Sequence, residues 1–344
     1  MKAMVLTGFR PPAEKPLELR DLPVPAVGPE DILIKVRCCG VCHTDLHIVE
    51  KELPDARLPL IPGHEVIGVV AVAGEKAGRF KPGQRVGAAW LRSTCGKCRF
   101  CLSGRENLCE SATFNGYHAD GGYAEYMVVG EKFAYAVPDR FGDAEAAPLM
   151  CAGIVGYRAL ALSEVRPGGV LGLYGFGGSA HIAIQIAKHR GARVFVVTRS
   201  AKHQNLAREL GADWVGAAQD EPPVKLTNAI LFAPVGSLYL DALRVMDRGG
   251  TVVSAGIHMS PIPEMDYDKY LYHERKMLSV ANATRKDGEE LLEVAAKIPV
   301  KTTVRTYPLE AANEALGDLK AGRLAGAAVL KIGDTENRDI TLFS

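Results

Sequence analysis

The sequence predicts an α/β protein that combines a mostly-β first domain with a second domain built on a doubly wound parallel sheet. The chain has 344 residues, more than one hydrophobic core usually supports, so two domains are expected. Up to about residue 150 it is rich in Gly, Pro and Val, and short apolar runs end at Pro-Gly pairs, which favours strands. From about residue 152, short apolar runs alternate with stretches of helical spacing, which predicts β-α-β units.

In the first half, the apolar runs predict strands at residues 32–36 and 66–72, with turns at Pro62-Gly63 and Pro82-Gly83. A short helix is expected over residues 44–50. Together these segments predict that the first half is mostly β.

In the second half, residues 170–174 form an apolar run typical of a buried parallel strand, and residues 178–189 have helical spacing. The alternation continues with strands at 193–198, 229–232 and 251–254 and helices at 201–210 and 237–245. Beyond residue 284 the pattern mixes helices at 287–297 and 309–319 with strands at 302–307 and 326–332.

Composition and charge exclude several classes of protein. The net charge is +1 without a long run of one sign, which argues against nucleic acid or an anionic membrane as the main partner. No stretch approaches the roughly 20 apolar residues that span a bilayer, and the apolar part of residues 1–6 is too short for a signal peptide. We therefore expect a cytoplasmic protein whose eight Cys are metal ligands and thiols rather than disulfides.

Four cysteines within fifteen residues give the strongest local signal, with the spacing Cys95-x2-Cys98-x2-Cys101-x7-Cys109. Four thiolates suit a closed tetrahedral zinc site that has no position for water, so we predict a structural role. An iron–sulfur cluster is chemically open to four Cys, but nothing else in the sequence supplies an electron partner. A nucleic-acid zinc finger is disfavoured because the nearby basic residues are balanced by Glu106 and Glu110.

A second group of metal ligands is dispersed along the chain. Cys42 and His64 supply a thiolate and an imidazole, a pair that Zn²⁺ favours. A catalytic zinc normally takes three protein ligands and keeps the fourth position open, and Cys151 is the best third candidate. Asp45 is a candidate to accept the other N–H of the metal-bound His. The sequence therefore predicts two zinc ions per chain.

A glycine-rich turn connects the strand at 170–174 to the helix that follows it. This is the context that a dinucleotide-binding turn requires, and it consists of Gly175, Phe176, Gly177, Gly178, Ser179 and Ala180. Gly175 allows the tight turn, and Gly177 lets the backbone approach a pyrophosphate at the helix N-terminus. Ala180 takes the third position, where a methyl group still permits close packing of helix and strand.

The run GVCHTDLH, then PGHE, the four-Cys segment, MCAG and the glycine-rich turn resemble, in order and spacing, the zinc-dependent medium-chain alcohol dehydrogenases. The resemblance implies a GroES-like catalytic domain over residues 1–152, with the structural-zinc lobe at 91–112. It further implies a Rossmann-type nucleotide-binding domain over 153–283 and a return to the catalytic domain over 284–344. The expected reaction is reversible hydride transfer between a primary or secondary alcohol and NAD(P), giving an aldehyde or ketone, in a homodimer or homotetramer.

The same resemblance assigns roles around the catalytic zinc. Thr44 and His47 stand where members of the family pass the alcohol proton to water, and Glu65 lies behind the metal. Trp90 stands where an aromatic side chain lines the substrate pocket, and His43 stands where some members bind the cofactor through Arg. Two further positions depart from many members of the family: Val155 replaces Thr, and Ala327 replaces an Arg that reaches the pyrophosphate.

The end of the second strand of the nucleotide-binding domain bears on the choice of cofactor. An acidic residue there would bind the adenosine ribose of NAD, but the chain has Thr198, Arg199 and Ser200. Arg199 can pair with a 2′-phosphate through its planar guanidinium group. The sequence therefore predicts that NADP(H) is favoured over NAD(H).

Three alternatives remain open at this point. A polyol dehydrogenase would often lack the Cys at position 151, and a zinc-free quinone reductase would lack Cys42 and the four-Cys lobe. A non-catalytic sensor or structural protein could retain the fold, but the complete set of zinc ligands with Thr44 and His47 argues against it.

Overall fold

The computed structural model describes residues 1–54 and 56–333, and these form two compact units. Of the described residues, the first unit comprises Met1–Cys151, Thr284–Leu292 and residues 302–333, and the second comprises Ala152–Ala283 and Glu293–Lys301. The family resemblance implied that all of residues 284–344 return to the first domain, whereas residues 293–301, which include the last residues of the helix Arg285–Lys297, group with the second unit. Residues 334–344 of that predicted segment lie outside the described residues.

The elements of the chain up to Cys151 are mostly strands, as predicted. The strands are β1 (Lys2–Leu6), β2 (Leu17–Asp21), β3 (Asp31–Val41), β4 (Glu65–Ala73), β5 (Arg85–Ala88), β6 (Leu91–Ser93), β7 (Thr113–Phe114), β8 (Tyr126–Gly130) and β9 (Ala134–Ala136). Short helices connect them: α1 (His43–Val49), α2 (Arg99–Leu102) and α3 (Asp143–Ala146).

Strands and helices alternate in the second unit, and the return segment adds further elements to the first. The alternating elements are α4 (Ala152–Ser163), β10 (Val170–Tyr174), α5 (Gly178–His189), β11 (Arg193–Val197), α6 (Ala201–Glu209), β12 (Trp214–Gly216), β13 (Leu226–Leu231), α7 (Leu238–Arg244), β14 (Met246–Ser254), α8 (Tyr267–Tyr270) and β15 (Lys276–Ser279). The return segment holds α9 (Arg285–Lys297), β16 (Val304–Pro308), α10 (Ala312–Lys320) and β17 (Ala327–Lys331).

Within the described residues, the first unit is organised on a seven-stranded sheet with the order β16-β17-β3-β4-β5-β9, and β8 pairs with β3. β3 is longer than its apolar core predicts, because it continues through Gly40 to Val41 and so leads directly to Cys42. The side chains of Ile32, Ile34 and Val66 are completely buried in the hydrophobic core of this unit. This packing fixes the ends of β3 and β4, where the predicted metal ligands lie.

The second unit contains, among its described residues, a parallel sheet of six strands in the order β12-β11-β10-β13-β14-β15. β10 pairs in parallel with β11 on one side and with β13 on the other. The chain order therefore reverses beside β10, and ligands of such sheets bind outside the carboxyl ends of the strands at this point. The parallel sheet and the mostly-β first unit confirm the predicted fold class.

Within residues 1–54 and 56–333, no single helix combines the length and apolar composition that crossing a membrane requires. One bent pair of consecutive helical segments, Asp143–Met150 with Ala152–Ser163, passes that test by length and composition only.

Candidate metal centres and nucleotide-binding turn

The pairing of β3 with β4 brings the first two predicted ligands together. Gly40 lies opposite Glu65 in this antiparallel pair, so Cys42 and His64 each lie next to the same end of the ladder. A Cβ atom on Gly40 would lie 1.8 Å from Glu65 Oε2, so only glycine leaves room for that carboxylate. Sheet register therefore delivers a thiol, an imidazole and a carboxylate to one place.

Four side chains converge at this place: Cys42, His64, Glu65 and Cys151. One potential ligand atom from each lies within 4.8 Å of the others, and the sulfurs of Cys42 and Cys151 are 3.9 Å apart. His64 is completely buried, and its Nε2 makes no hydrogen bond with the described residues, while its Nδ1 faces only the carboxylate of Asp45, at 3.4 Å. A buried imidazole without such a bond costs free energy, and a metal ion bound to its nitrogen removes that cost. The residues therefore fit zinc.

Asp45 contacts both Cys42 and the segment that contains His64. Its carboxylate is fully buried and accepts hydrogen bonds from the backbone N–H of Cys42 at 2.9 Å and of Gly63 at 3.2 Å. Its Oδ1 also lies 3.4 Å from Nδ1 of His64, which leaves Nε2 of that imidazole for the metal. The carboxylate thus holds the imidazole in one orientation.

The electrostatics of the cluster favour a cation. A hydrogen bond from Cys151 outweighs burial and lowers the pKa of Cys42 well below its usual range, and the same bond raises the pKa of Cys151. Burial disfavours the imidazolium form of His64, but Asp45 and Cys42 together outweigh it and raise the pKa of His64 well above its usual range. A thiolate beside two buried carboxylates attracts a divalent metal ion, which takes the place of the protons.

Helix α1 carries the remaining residues predicted around this cluster. Thr44 is buried, and its Oγ1 lies 3.8 Å from the sulfur of Cys42. His43 is exposed at the first position of the helix. His47 is half-buried one turn later, and its Nδ1 pairs closely with the carboxylate of Glu52, a residue that the sequence analysis missed. Glu52 reaches His47 because Lys51 adopts a left-handed conformation with φ of 60°, which turns the chain back on the helix.

Trp90 lies beside the cluster. Its ring meets His64 edge to face, with the ring centroids 4.9 Å apart. It also stacks on Phe114 at 5.0 Å and on Tyr117 at 5.6 Å, two contacts that no sequence pattern announced. The aromatic group gives the metal cluster an apolar wall on this side.

The four-Cys segment forms a second, separate cluster. Cys95, Cys98, Cys101 and Cys109 each offer a sulfur, and all four lie within 4.8 Å of one another. The backbone N–H of Cys98 donates to the sulfur of Cys95 at 3.3 Å, and that of Cys95 donates to the sulfur of Cys109 at 3.4 Å. Hydrogen bonds from Lys97 and Cys98 lower the pKa of Cys95 to about 6, whereas burial raises that of Cys101 to about 11. Four sulfurs at these distances suit a closed tetrahedral zinc site.

The glycine-rich turn lies at the carboxyl end of β10, where the strand order reverses. Gly175 has φ of 88°, and a Cβ atom there would lie 2.8 Å from the backbone nitrogen of Ala233. Gly177 faces open space, so a ligand can approach its backbone closely. Gly178 begins α5, with Ser179 exposed to an intermediate degree and Ala180 fully buried. The helix presents free N–H groups at this turn, as pyrophosphate binding requires.

The end of β11 carries the residues predicted to choose between the cofactors. Thr198 is buried, and its carbonyl accepts a hydrogen bond from Gln204. Arg199 and Ser200 are exposed, and Ser200 precedes α6 as its N-cap. Within the described part of the chain, the Arg199 guanidinium makes no hydrogen bond or ion pair. Its side chain is therefore available to a ligand.

A mostly-β unit with an open Cys/His metal cluster and a four-Cys cluster, together with a parallel-sheet unit that carries a dinucleotide-type turn, defines a zinc-dependent oxidoreductase linked to a nicotinamide cofactor. Family models agree. An alcohol dehydrogenase GroES-like domain matches residues 28–139, and a zinc-binding dehydrogenase matches residues 178–297.

Comparison with individual proteins of known sequence or structure agrees with this class of enzyme. The chain is 51% identical over 322 residues to the probable alcohol dehydrogenase AdhA of Mycobacterium tuberculosis (strain CDC 1551 / Oshkosh), a match that covers 92% of this chain and 93% of that protein. The structure of CAD from Helicobacter pylori complexed with NADP(H) superposes with a TM-score of 0.86 at 25% identity and covers 96% of this chain and 97% of that one. Acetophenone reductase from Geotrichum candidum NBRC 4597 in complex with NAD gives 0.84 at 30% identity, with 96% of each chain covered.

The chain therefore belongs to the zinc-dependent medium-chain alcohol dehydrogenase family. It is an NAD(P)-dependent zinc enzyme that oxidises alcohols, with one open and one closed zinc site. This confirms the predicted family, fold class and activity and replaces the non-catalytic alternative.

Proposed function

We propose that Cys42, His64 and Cys151 bind the catalytic zinc, with Glu65 as an oxygen ligand within reach, and that the enzyme interconverts primary or secondary alcohols with aldehydes or ketones. The observation that carries this proposal is the completely buried His64, whose Nε2 makes no hydrogen bond with the described residues while two sulfurs converge on the same point. The four-Cys cluster holds the structural zinc, because all four of its positions are filled by thiolates.

A zinc ion bound in the open site supplies Lewis-acid chemistry that makes the alcohol O–H more acidic, while NAD(P) takes the hydride from carbon. The residues of the chain manage the proton. Thr44 is buried beside Cys42 and accepts the alcohol proton through its hydroxyl oxygen while giving up its own. His47 takes that proton and, being half-buried, releases it to water. Trp90 excludes water on the side of His64 and contacts the carbon chain of the substrate.

The assignment is tested by metal analysis combined with nicotinamide absorbance assays on a panel of primary, secondary and polyhydric alcohols. We expect about two zinc ions per chain and turnover of simple alcohols. A chain that retains both metals but turns over only polyols would favour the polyol dehydrogenase alternative. A Cys151→Ser variant that keeps full activity would remove Cys151 from the ligand set.

We further propose that NADP(H) is the preferred cofactor. Arg199 follows β11 directly, is exposed and makes no pairing with the described residues, so its guanidinium can bind a 2′-phosphate bidentately. Thr198 brings no carboxylate to repel that phosphate. The related structures bind either NADP(H) or NAD, so the likeness leaves both cofactors open.

Steady-state kinetics with both cofactors tests this preference. Wild type should show the higher kcat/KM with NADP(H), and Arg199→Ala should lose roughly tenfold or more with that cofactor only, as expected for a charge-assisted contact of about 1.5–3 kcal/mol. Arg208→Ala is a matched control, because it removes an exposed Arg of α6 that pairs with Asn205. Wild type that favours NAD(H), or an Arg199 variant that loses both cofactors equally, would contradict the proposal.

We propose that the enzyme is a homodimer or homotetramer that associates through β15. This strand forms the edge of the parallel sheet, and Leu278 within it is 39% exposed, while Tyr267 and Tyr272 before it are 60% and 59% exposed. An edge with exposed apolar side chains can pair with its copy around a two-fold axis. Leu278→Lys should lower the mass in analytical ultracentrifugation, whereas Leu102→Lys, a change at a leucine that is 77% exposed in the zinc lobe, should not. A monomeric wild type would refute the proposal.

Finally, we propose that the enzyme works in the cytoplasm. All eight cysteines are free thiols, and six of them supply the two zinc sites, which require reduced sulfur. Cell fractionation followed by activity assays would check the compartment.

A further inference from the structure

Tyr123 lies behind the open zinc site and has no part in the chemistry described so far. It is fully buried, and its hydroxyl donates a hydrogen bond of 3.1 Å to Oδ2 of Asp45. The same Oδ2 accepts the N–H of Cys42, whereas Oδ1 accepts the N–H of Gly63 and faces Nδ1 of His64. Each oxygen of the carboxylate therefore has two partners, and three of the four partners belong to a zinc ligand or to its neighbour in the chain.

The backbone around Tyr123 fixes the position of its hydroxyl. Its N–H donates to the carbonyl of Pro62 at 3.0 Å, and its carbonyl accepts the N–H of Met4 at 2.8 Å. Its ring packs on Gly63, where a Cβ atom would lie 2.3 Å from a ring carbon. The tyrosine is therefore held against the segment that leads directly into His64.

We propose that Tyr123 is a positioning residue for the catalytic zinc, which holds the Asp45 carboxylate in the rotamer that orients both Cys42 and His64. This inference rests on the proposed ligand set. The partners of a metal-bound histidine are commonly supported by further hydrogen bonds, and loss of such support weakens metal binding about 10–100-fold. Burial raises the pKa of Tyr123 well above its usual range, which favours the protonated phenol that donates this hydrogen bond.

Without the hydroxyl, one of the four contacts of a buried carboxylate is missing. Oδ2 would then keep only the N–H of Cys42, and Asp45 could rotate away from His64 in search of a second donor. The imidazole would lose its fixed orientation although no ligand had been changed. The signature of this role is faster metal release from an otherwise intact fold.

The test compares Tyr123→Phe with Tyr307→Phe. Tyr307 is also buried in the first unit, and its hydroxyl donates at 2.6 Å to the buried Asp318, so both variants lose a tyrosine–aspartate hydrogen bond while keeping the ring. Zinc release from the holoenzyme is followed with a chromogenic chelator, and circular dichroism reports the fold. We expect Tyr123→Phe to release the zinc of the open site about 10–100 times sooner than wild type, and Tyr307→Phe to release it at the wild-type rate.

A second readout uses cobalt(II) in place of the catalytic zinc. The visible absorption of the bound cobalt reports ligand geometry, so it should change in Tyr123→Phe and stay unchanged in Tyr307→Phe. Equal release rates and identical cobalt spectra in wild type and Tyr123→Phe would overturn the inference. A Cys42→Ala chain that still holds two zinc ions would instead overturn the ligand set itself, so the two failures are distinguishable.

Discussion

The two cysteine clusters of the first unit use similar ligands in opposite ways. The lobe takes four sulfurs from one short segment, and backbone N–H groups of that segment bond to two of them. The catalytic cluster takes its groups from Cys42, His64, Glu65 and Cys151, and only the fold brings them together. The lobe is thus complete by itself, whereas the catalytic cluster depends on sheet register and on Asp45.

The two clusters also differ in their neighbouring residues and in whether a ligand position stays open. In the lobe, Cys95, Cys98 and Cys101 are half-buried at the surface, and no ligand position remains for a substrate. At the catalytic cluster, His64 and Glu65 are almost completely buried, and Trp90 adds an apolar wall. An open ligand position fits a catalytic zinc, whereas a cluster whose four positions are all filled by thiolates fits a structural zinc.

The largest expected effect is a loss of turnover and of one zinc ion when a cysteine of the catalytic cluster is replaced. Cys42→Ala should abolish measurable turnover, because the Lewis acid that activates the alcohol is lost, while the fold and one zinc ion remain. Metal analysis should give about one zinc per chain, with circular dichroism unchanged.

Cys98→Ser is the reciprocal variant: we expect its melting temperature to fall by several degrees, because structural zinc contributes folding free energy. Full activity in metal-free Cys42→Ala, or unchanged melting with lost turnover in Cys98→Ser, would reverse the two assignments.

The sequence predicted those parts of the molecule whose signals are local. The strand at 170–174 and the helix at 178–189 match the structure residue for residue, because an apolar run and a helical period are written in consecutive residues. The four-Cys lobe was predicted for the same reason, because its four cysteines lie within fifteen consecutive residues. By contrast, β15 was missed, because its alternation is short and its surroundings are rich in polar residues.

Long-range support of the catalytic cluster could not be predicted in this way. Tyr123 contacts Asp45 across 78 residues of chain, and no periodicity or spacing announces such a hydrogen bond. Glu52 reaches His47 only because Lys51 adopts a positive φ, which Lys seldom does. The proposed ligands Cys42, His64 and Cys151 stand in motifs that the sequence displays, whereas the residues that hold them in place do not.

The second effect concerns transfer of the alcohol proton to water, a step that we propose only for the residues around the catalytic cluster. His47→Ala should lower kcat by about 10²-fold, mainly at low pH, because solvent bases are then scarce and general acid–base catalysis is worth about 10²–10⁴-fold. Added buffer bases should restore part of the rate. The pH profile of kcat is the measurement, and zinc content should stay at the wild-type value. An unchanged profile would make His47 a surface residue without a role in the relay.

The smallest effect concerns how the lobe is attached to the rest of the first unit. Glu106 lies between the third and fourth cysteines and accepts hydrogen bonds from the backbone N–H of Arg285 at 2.9 Å and from its guanidinium at 2.5 Å. Burial tends to raise the pKa of Glu106, but the bonds from Arg285 outweigh it and lower that pKa below its usual value of 4.5. Because the folded pKa is depressed, the pair stabilises the protein above about pH 4.5, and this contribution is lost as the pH falls through the folded pKa.

We therefore expect Glu106→Gln to lower the free energy of unfolding by about 1–2 kcal/mol at neutral pH, a value reduced for the partial exposure of Arg285. Thermal melts of wild type and variant should converge as the pH falls below the folded pKa, since the wild-type carboxylate is then protonated. Glu110→Gln is the control, because it changes an exposed carboxylate of the same lobe that has no partner among the described residues. Catalysis should be unchanged in both variants, because the lobe serves structure alone. A difference between the melts that persists into acid, or an equal loss in Glu110→Gln, would show that the ion pair does not fasten the lobe.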